Sequence, residues 1–173
     1  MKVYLEALGC RLNAAETEEL ARRFVTAGYS IVREAEEASI IVLNTCAVTV
    51  QAARKSRHRL QALHRCNAQA RLAVLGCWAT EAAQEIARLP GVSWILPNAD
   101  KAHAIERITG KAADPAAWQS GRCAHTRAFL GVQDGCDSTC TYCITRLLRG
   151  PARSLPPEQV IPAVHDLVAG GAQ

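Results

Sequence analysis

Apolar positions recur along this chain in two alternating rhythms, and the order in which they come is strand, helix, strand, helix. Lys2 to Leu8 reads as a short apolar strand that ends at Gly9-Cys10. Thr17, Leu20, Phe24 and Ala27 then keep an apolar stripe at helical spacing, behind an Asn13-Ala14-Ala15-Glu16 stretch with the form of a capping box, until Gly28 stops it. Tyr29 to Val32 is a weak strand signal. Ile40 to Leu43 is a strong one, a continuous branched run of the kind that parallel strands buried on both faces show.

A long helix is expected from about Val50 to Arg65, with Ala53, Ser56, Leu60 and Leu63 facing inward and Lys55, His58, Arg59, Gln61 and Arg65 on the outer arc. Arg71 to Leu75 is the next strand. Thr80 is placed to cap a helix from Glu81 to Leu89 that Pro90-Gly91 ends, Ser93 to Leu96 gives a last short strand, and Lys101 to Thr109 a last helix. This alternation predicts an α/β fold: an open parallel-sheet three-layer domain over residues 1–112. Residues 113–126 carry no period and read as a linker. From 127 onward a second unit opens with a strand, Arg127 to Gln133, and includes a helix from Pro157 to Ala169, started by Pro156-Pro157-Glu158 and capped by Gly170-Gly171.

Composition sharpens this outline. With 173 residues, 49% of them hydrophobic, the chain can bury a full core, and at 5% aromatic content that core is aliphatic. The net charge is only +4, yet Ala38 to Thr80 holds no Asp or Glu while carrying Arg54, Lys55, Arg57, Arg59, Arg65 and Arg71, a candidate anion-facing surface. No stretch approaches the roughly 18 apolar residues of a membrane span, and the first residues lack the apolar region of a signal peptide. The expected setting is cytoplasmic. There, clustered cysteines point to metal or catalysis rather than to disulfides.

The chain has eight cysteines, and their positions carry the chemistry. Cys136, Cys140 and Cys143, spaced C-x3-C-x2-C directly after the Phe129 to Val132 apolar run, cannot share one helix face or one side of a strand, and so fit a loop wrapped around a metal centre. A closed zinc site wants a fourth ligand, which Cys123, His125 or His165 would have to provide. An iron–sulfur cluster with one open iron needs only three thiolates. Cys10, Cys46 and Cys77 each fall at the end of a predicted core strand, the edge where open parallel sheets bind ligands. Cys66 and Cys123 have no such placement.

The triple-cysteine loop, with Tyr142 before its last cysteine, resembles the radical S-adenosylmethionine enzymes. Leu8-Gly9-Cys10, Asn44-Thr45-Cys46, Gly76-Cys77-Trp78-Ala79 and Val132-Gln133-Asp134-Gly135 extend the likeness to the methylthiotransferases, which fuse a cluster-binding domain to a radical S-adenosylmethionine barrel. Thr45-Cys46-Ala47-Val48-Thr49, Arg54-Lys55-Ser56-Arg57 and Arg149-Gly150-Pro151-x-Arg153-Ser154 are most similar to the branch that acts on threonylcarbamoyladenosine in tRNA; sister branches act on isopentenyladenosine in tRNA or on a ribosomal protein. Thr145-Arg146 departs from the apolar residue and proline common in the family.

The resemblance implies two four-iron four-sulfur clusters, one on Cys10, Cys46 and Cys77 and one on Cys136, Cys140 and Cys143, with S-adenosylmethionine at the second and Tyr142 against its adenine. It implies methylthiolation of adenosine 37 in the tRNA anticodon loop, with electrons from a donor such as flavodoxin or ferredoxin. A whole barrel takes on the order of 200 residues, and only 30 follow Cys143, so this is expected to be the front of a longer enzyme, incompetent for turnover alone. Two other readings stay open on the residues: a zinc-dependent RNA-binding module, and a non-catalytic interaction domain.

Overall fold

The computed structural model describes residues 1–111 and 128–172. The expected linker, Cys123, His125 and Arg127 lie outside the described residues. Five parallel strands form one sheet: β1 (Lys2–Ala7), β2 (Ser30–Ile31), β3 (Ile40–Thr45), β4 (Arg71–Gly76) and β5 (Val92–Leu96), in the order β2-β1-β3-β4-β5. Between them run α1 (Arg11–Thr26), α2 (Val50–Cys66), the short α3 (Cys77–Glu81) and α4 (Ala83–Ile86), and after β5 a 3-10 turn leads into α5 (Ala104–Thr109).

The run Ile40 to Leu43 forms β3 because its side chains serve both faces of the sheet, as the period of two requires. Ile41 and Leu43 pack with Leu60, Leu63, Trp78 and Ile86 from α2, α3 and α4. Ile40 and Val42 pack with Leu20 and Phe24 of α1 and Ile105 and Ile108 of α5. Three layers result, and all six residues of β3 are buried.

Two helix starts differ from expectation. Helix α1 begins at Arg11 with Cys10 as its N-cap, so Asn13 is no cap. Its Oδ1, the atom a cap would use, accepts instead from Arg149, and its amide nitrogen donates to the carbonyls of Leu8 and Thr45, at 2.7 and 3.0 Å. Helix α3 begins directly at Cys77; the Thr80 hydroxyl donates to the Gly76 carbonyl and accepts from the Asn98 N–H.

The second segment keeps α7 (Pro157–Ala169) as expected, capped by Gly170. The strand expected over Arg127 to Gln133 is not formed across its described part. Only β6 (Gln133–Asp134) is a strand, paired antiparallel with β7 (Arg153–Ser154), with α6 (Thr145–Arg149) between them. A strand exists only where a neighbour takes up its backbone groups, and among the described residues Phe129 to Val132 meets no second strand. The described residues thus show no parallel β/α barrel unit.

Because Leu43 is fully buried at the centre of the sheet, Leu43→Ala should lower stability by about 3 kcal/mol. The shift of the urea midpoint at unchanged denaturant slope is the measurement.

Candidate metal centre at the carboxyl edge of the sheet

Three sulfurs arrive at one edge by topology alone. Cys10 follows β1, Cys46 follows β3 and Cys77 follows β4, and these three strands are neighbours in register, with Ala7 opposite Asn44 and Thr45 opposite Gly76. Chain order reverses between β1 and β3, which makes this edge the switch point where doubly wound sheets bind ligands. Cys46 and Cys77 are buried and Cys10 is exposed. Even so, among the described residues no three His, Cys, Asp or Glu side chains are gathered into a finished metal cage.

Two glycines shape the edge. Gly9 has φ +99°, and a Cβ there would lie 2.8 Å from the Cys46 sulfur, so only glycine lets the Cys10 loop rest on Cys46. Gly76 has φ +97°, and a Cβ there would meet the Asn44 Oδ1 at 2.6 Å. Around them stand amides. Asn13 Oδ1 faces the Cys10 thiol at 3.6 Å, and Asn98 Nδ2 approaches the Cys77 sulfur at 3.5 Å. Ser56 on α2 accepts from the Cys46 N–H and donates to the Cys46 carbonyl. The Oδ1 atoms of Asn44 and Asn98 are buried without a hydrogen-bond partner, so the polar groups of this edge are not fully satisfied by the chain's own described residues.

A buried ion network lies beside the thiols. Arg149, only 6% exposed, donates to Glu16 at 2.9 Å, to Asp134 at 2.6 Å and to Asn13 Oδ1 at 2.6 Å. Glu16 also receives Lys101 and the Asn44 amide. Burial pushes the Glu16 carboxyl up, but Lys101 and Arg149 outweigh it and hold the group below the usual glutamate range. Burial lowers the Lys101 ammonium. No local pattern in the sequence marks this network; Arg149 belongs to the Arg149-Gly150-Pro151-x-Arg153-Ser154 stretch of the family resemblance.

The second cysteine set sits in the open. Cys136 is half-buried and Cys140 and Cys143 are exposed. The loop is tied at its base: the Cys136 N–H donates to the Gly150 carbonyl, Asp137 Oδ1 accepts from the Ala152 N–H, and Cys143 N–H closes a turn on Cys140. Hydrogen bonds from Thr145 lower the Cys143 thiol, so the departure from the family pattern at Thr145 favours a thiolate. Tyr142 is 89% exposed. The basic face of α2 is less free than expected. Arg59 is held by Glu6 at 2.7 Å and Arg57 pairs with Glu85, which leaves Arg54, Lys55 and Arg65 exposed and unpaired among the described residues.

A doubly wound α/β domain thus brings three cysteines to its switch-point edge. The chain belongs to the uncharacterized protein family UPF0004, which matches residues 2–96. It is 32% identical over 99% of its length to the threonylcarbamoyladenosine tRNA methylthiotransferase MtaB of Aquifex aeolicus. It is 31% identical over its full length to the ribosomal protein uS12 methylthiotransferase RimO of Desulfosudis oleivorans, and 30% identical over 98% to the tRNA-2-methylthio-N(6)-dimethylallyladenosine synthase of Novosphingobium aromaticivorans. The chain spans 46, 44 and 42% of those proteins' lengths. The resemblance read from the cysteine motifs is thus borne out at the level of the family. No helix among the described residues is long and apolar enough to cross a membrane.

The depressed Glu16 carboxyl gives a pH signature. A carboxylate held low in the folded state stabilises fully above its ordinary value of 4.5, and that contribution disappears as pH falls through the folded value. Thermal unfolding from pH 7 to pH 3 should show an acid limb that Glu16→Gln flattens, while the same variant is less stable than the parent at pH 7.

Proposed function

We propose that this chain is the front part of a tRNA methylthiotransferase of the radical S-adenosylmethionine type. Cys10, Cys46 and Cys77 hold one four-iron four-sulfur cluster. Cys136, Cys140 and Cys143, with the start of a radical domain from about residue 127, hold another, at which S-adenosylmethionine binds with Tyr142 beside it. The observation that carries this reading is the delivery of three thiols to the ends of three adjacent strands. The donor set fits the group, since thiolates are the usual ligands of such clusters and a set of three leaves one iron open.

When bound, these groups supply the radical chemistry and the sulfur that join a methylthio unit to a carbon of the substrate. The chain's own residues bind and orient. Gly9 and Ser56 fix the backbone around Cys46, Asn98 offers an N–H to the Cys77 sulfur, and burial of Cys46 and Cys77 keeps water from that side of the edge. Hydrogen bonds to cluster sulfurs and exclusion of solvent are the levers by which a protein sets reduction potential. The reductant is a small donor such as flavodoxin or ferredoxin, and the setting is the cytoplasm.

The substrate proposed is threonylcarbamoyladenosine at position 37 of the tRNA anticodon loop, supported by the relative of that printed activity. Arg54, Lys55 and Arg65 supply a cationic face for RNA phosphates. The ribosomal protein reading is supported by a relative of almost equal identity.

Anaerobic reconstitution with iron and sulfide should give brown protein, and changing Cys10, Cys46 and Cys77 together to alanine should remove about half the iron, as expected for two clusters with three thiolates each. Colourless protein holding one zinc, unaffected by the triple change, would sink this reading. Binding of tRNA should weaken with salt, and Arg54→Ala with Lys55→Ala should lower the slope of log affinity against log salt by about 1 to 2.

A further inference from the structure

Helix α6 begins two residues after Cys143 and ends on Arg149, and two of its hydrogen bonds reach side-chain amides that stand beside the strand-end cysteines. The Arg149 guanidinium grips Asn13 Oδ1. Asn13, fully buried, also faces the Cys10 thiol and holds the carbonyl of Thr45, the residue before Cys46. One residue earlier, the Leu148 carbonyl accepts from Asn98 Nδ2, the same amide nitrogen that approaches the Cys77 sulfur. Leu148 itself is 6% exposed in the cluster that contains Cys77 and Trp78. Two amides, Asn13 and Asn98, therefore touch α6 on one side and the surroundings of all three strand-end thiols on the other.

We infer that Arg149 is a positioning residue: through Asn13, Glu16 and Asp134 it sets the place of the triple-cysteine segment on the carboxyl edge of the sheet. Its meaning for two clusters rests on the function proposed above, whereas the docking itself does not. A guanidinium suits the task because its planar fork can address Glu16, Asp134 and Asn13 at once, which a lysine ammonium on a flexible stem does poorly. Asp134 is the second half of the device. It lies in β6, at the entry to the loop, and Arg149 lies at the exit, so the same ion pair closes the loop's base while Glu16 and Asn13 tie that base to α1. Gly135, next to Asp134, has φ +76° and no room for a Cβ beside the Pro151 carbonyl, which keeps entry and exit of the loop in close contact.

The test needs no metal. Nitroxide labels on Cys66, exposed at the end of α2, and on L147C, at an exposed position of α6, report the separation of the two parts by pulsed electron resonance. Cys10, Cys123, Cys136, Cys140 and Cys143 are replaced by serine, and the buried Cys46 and Cys77 stay. With Arg149 present, the distance distribution should be single and narrow. It should broaden at least twofold in R149M and be partly restored in R149K. A purely stabilising role would lower the melting temperature in R149M but leave the distance narrow at temperatures where the chain is folded, and that result would overturn the inference. Should R149M lose its cooperative unfolding transition, D134N decides by the same criterion, since it weakens the grip from the loop side. Failure to take up iron would defeat the cluster reading and leave these distances untouched; an unchanged distance would defeat this inference and leave iron uptake untouched.

Discussion

A guanidinium taken out of water binds its surroundings as firmly as they bind it. Arg149 is buried against Glu16 and Asp134, and Lys101 stands on the other side of Glu16. Two carboxylates thus face two cations in a space that excludes most solvent, and a third, the more exposed Arg153, reaches Asp134 from outside. Among the described residues, removing Arg149 would leave Glu16 with Lys101 alone and Asp134 with the more exposed Arg153 alone, so part of the charge compensation at the site is lost. The position of α6, the conformation of the Cys136 to Cys143 loop at its base and the orientation of Asn13 all follow from that requirement. A set of apolar contacts of the same area would have allowed sliding, because hydrophobic attraction has no direction.

The sheet supplies the other half of the design. Parallel strands buried on both faces leave one place for chemistry, the ends where the chain turns toward its helices. Here three such turns carry cysteine, and the polar side chains bonded to them are neutral: the Asn13 amide at Cys10, the Ser56 hydroxyl at the Cys46 backbone and the Asn98 amide at Cys77. That choice matters for a sulfur ligand set. At Cys77 the Asn98 N–H can stabilise negative charge on sulfur without adding charge of its own, whereas a carboxylate in the same spot would repel it.

Local signals account for much of this. The branched run of β3, the stripe of α2 and the proline start and glycine end of α7 are each decided within a few residues, so periodicity sufficed to find them. The strand-end placement of Cys10, Cys46 and Cys77 followed from the same reading. What stayed hidden depends on partners far along the chain. Asn13 looked like a cap because its neighbours have capping form, yet its acceptors include Thr45, 32 residues on. Thr80 was taken by Asn98, 18 residues on. Arg57 and Arg59 looked like free cations until Glu85 and Glu6 were found against them. The Arg149 pin joins residues 133 and 136 positions apart, and no pattern in a single sequence marks such a pair.

The two cysteine sets differ in how far apart their members lie in the chain. Cys136, Cys140 and Cys143 are neighbours in any conformation, folded or not. Cys10, Cys46 and Cys77 reach a common edge only after β1, β3 and β4 have zipped together, a non-local event that must wait for loop closure over tens of residues. During synthesis, therefore, the later-made trio exists as a unit the moment it leaves the ribosome, while the earlier-made one is assembled by folding. Partial unfolding of the sheet parts Cys10, Cys46 and Cys77 and leaves Cys136, Cys140 and Cys143 as close in the chain as before.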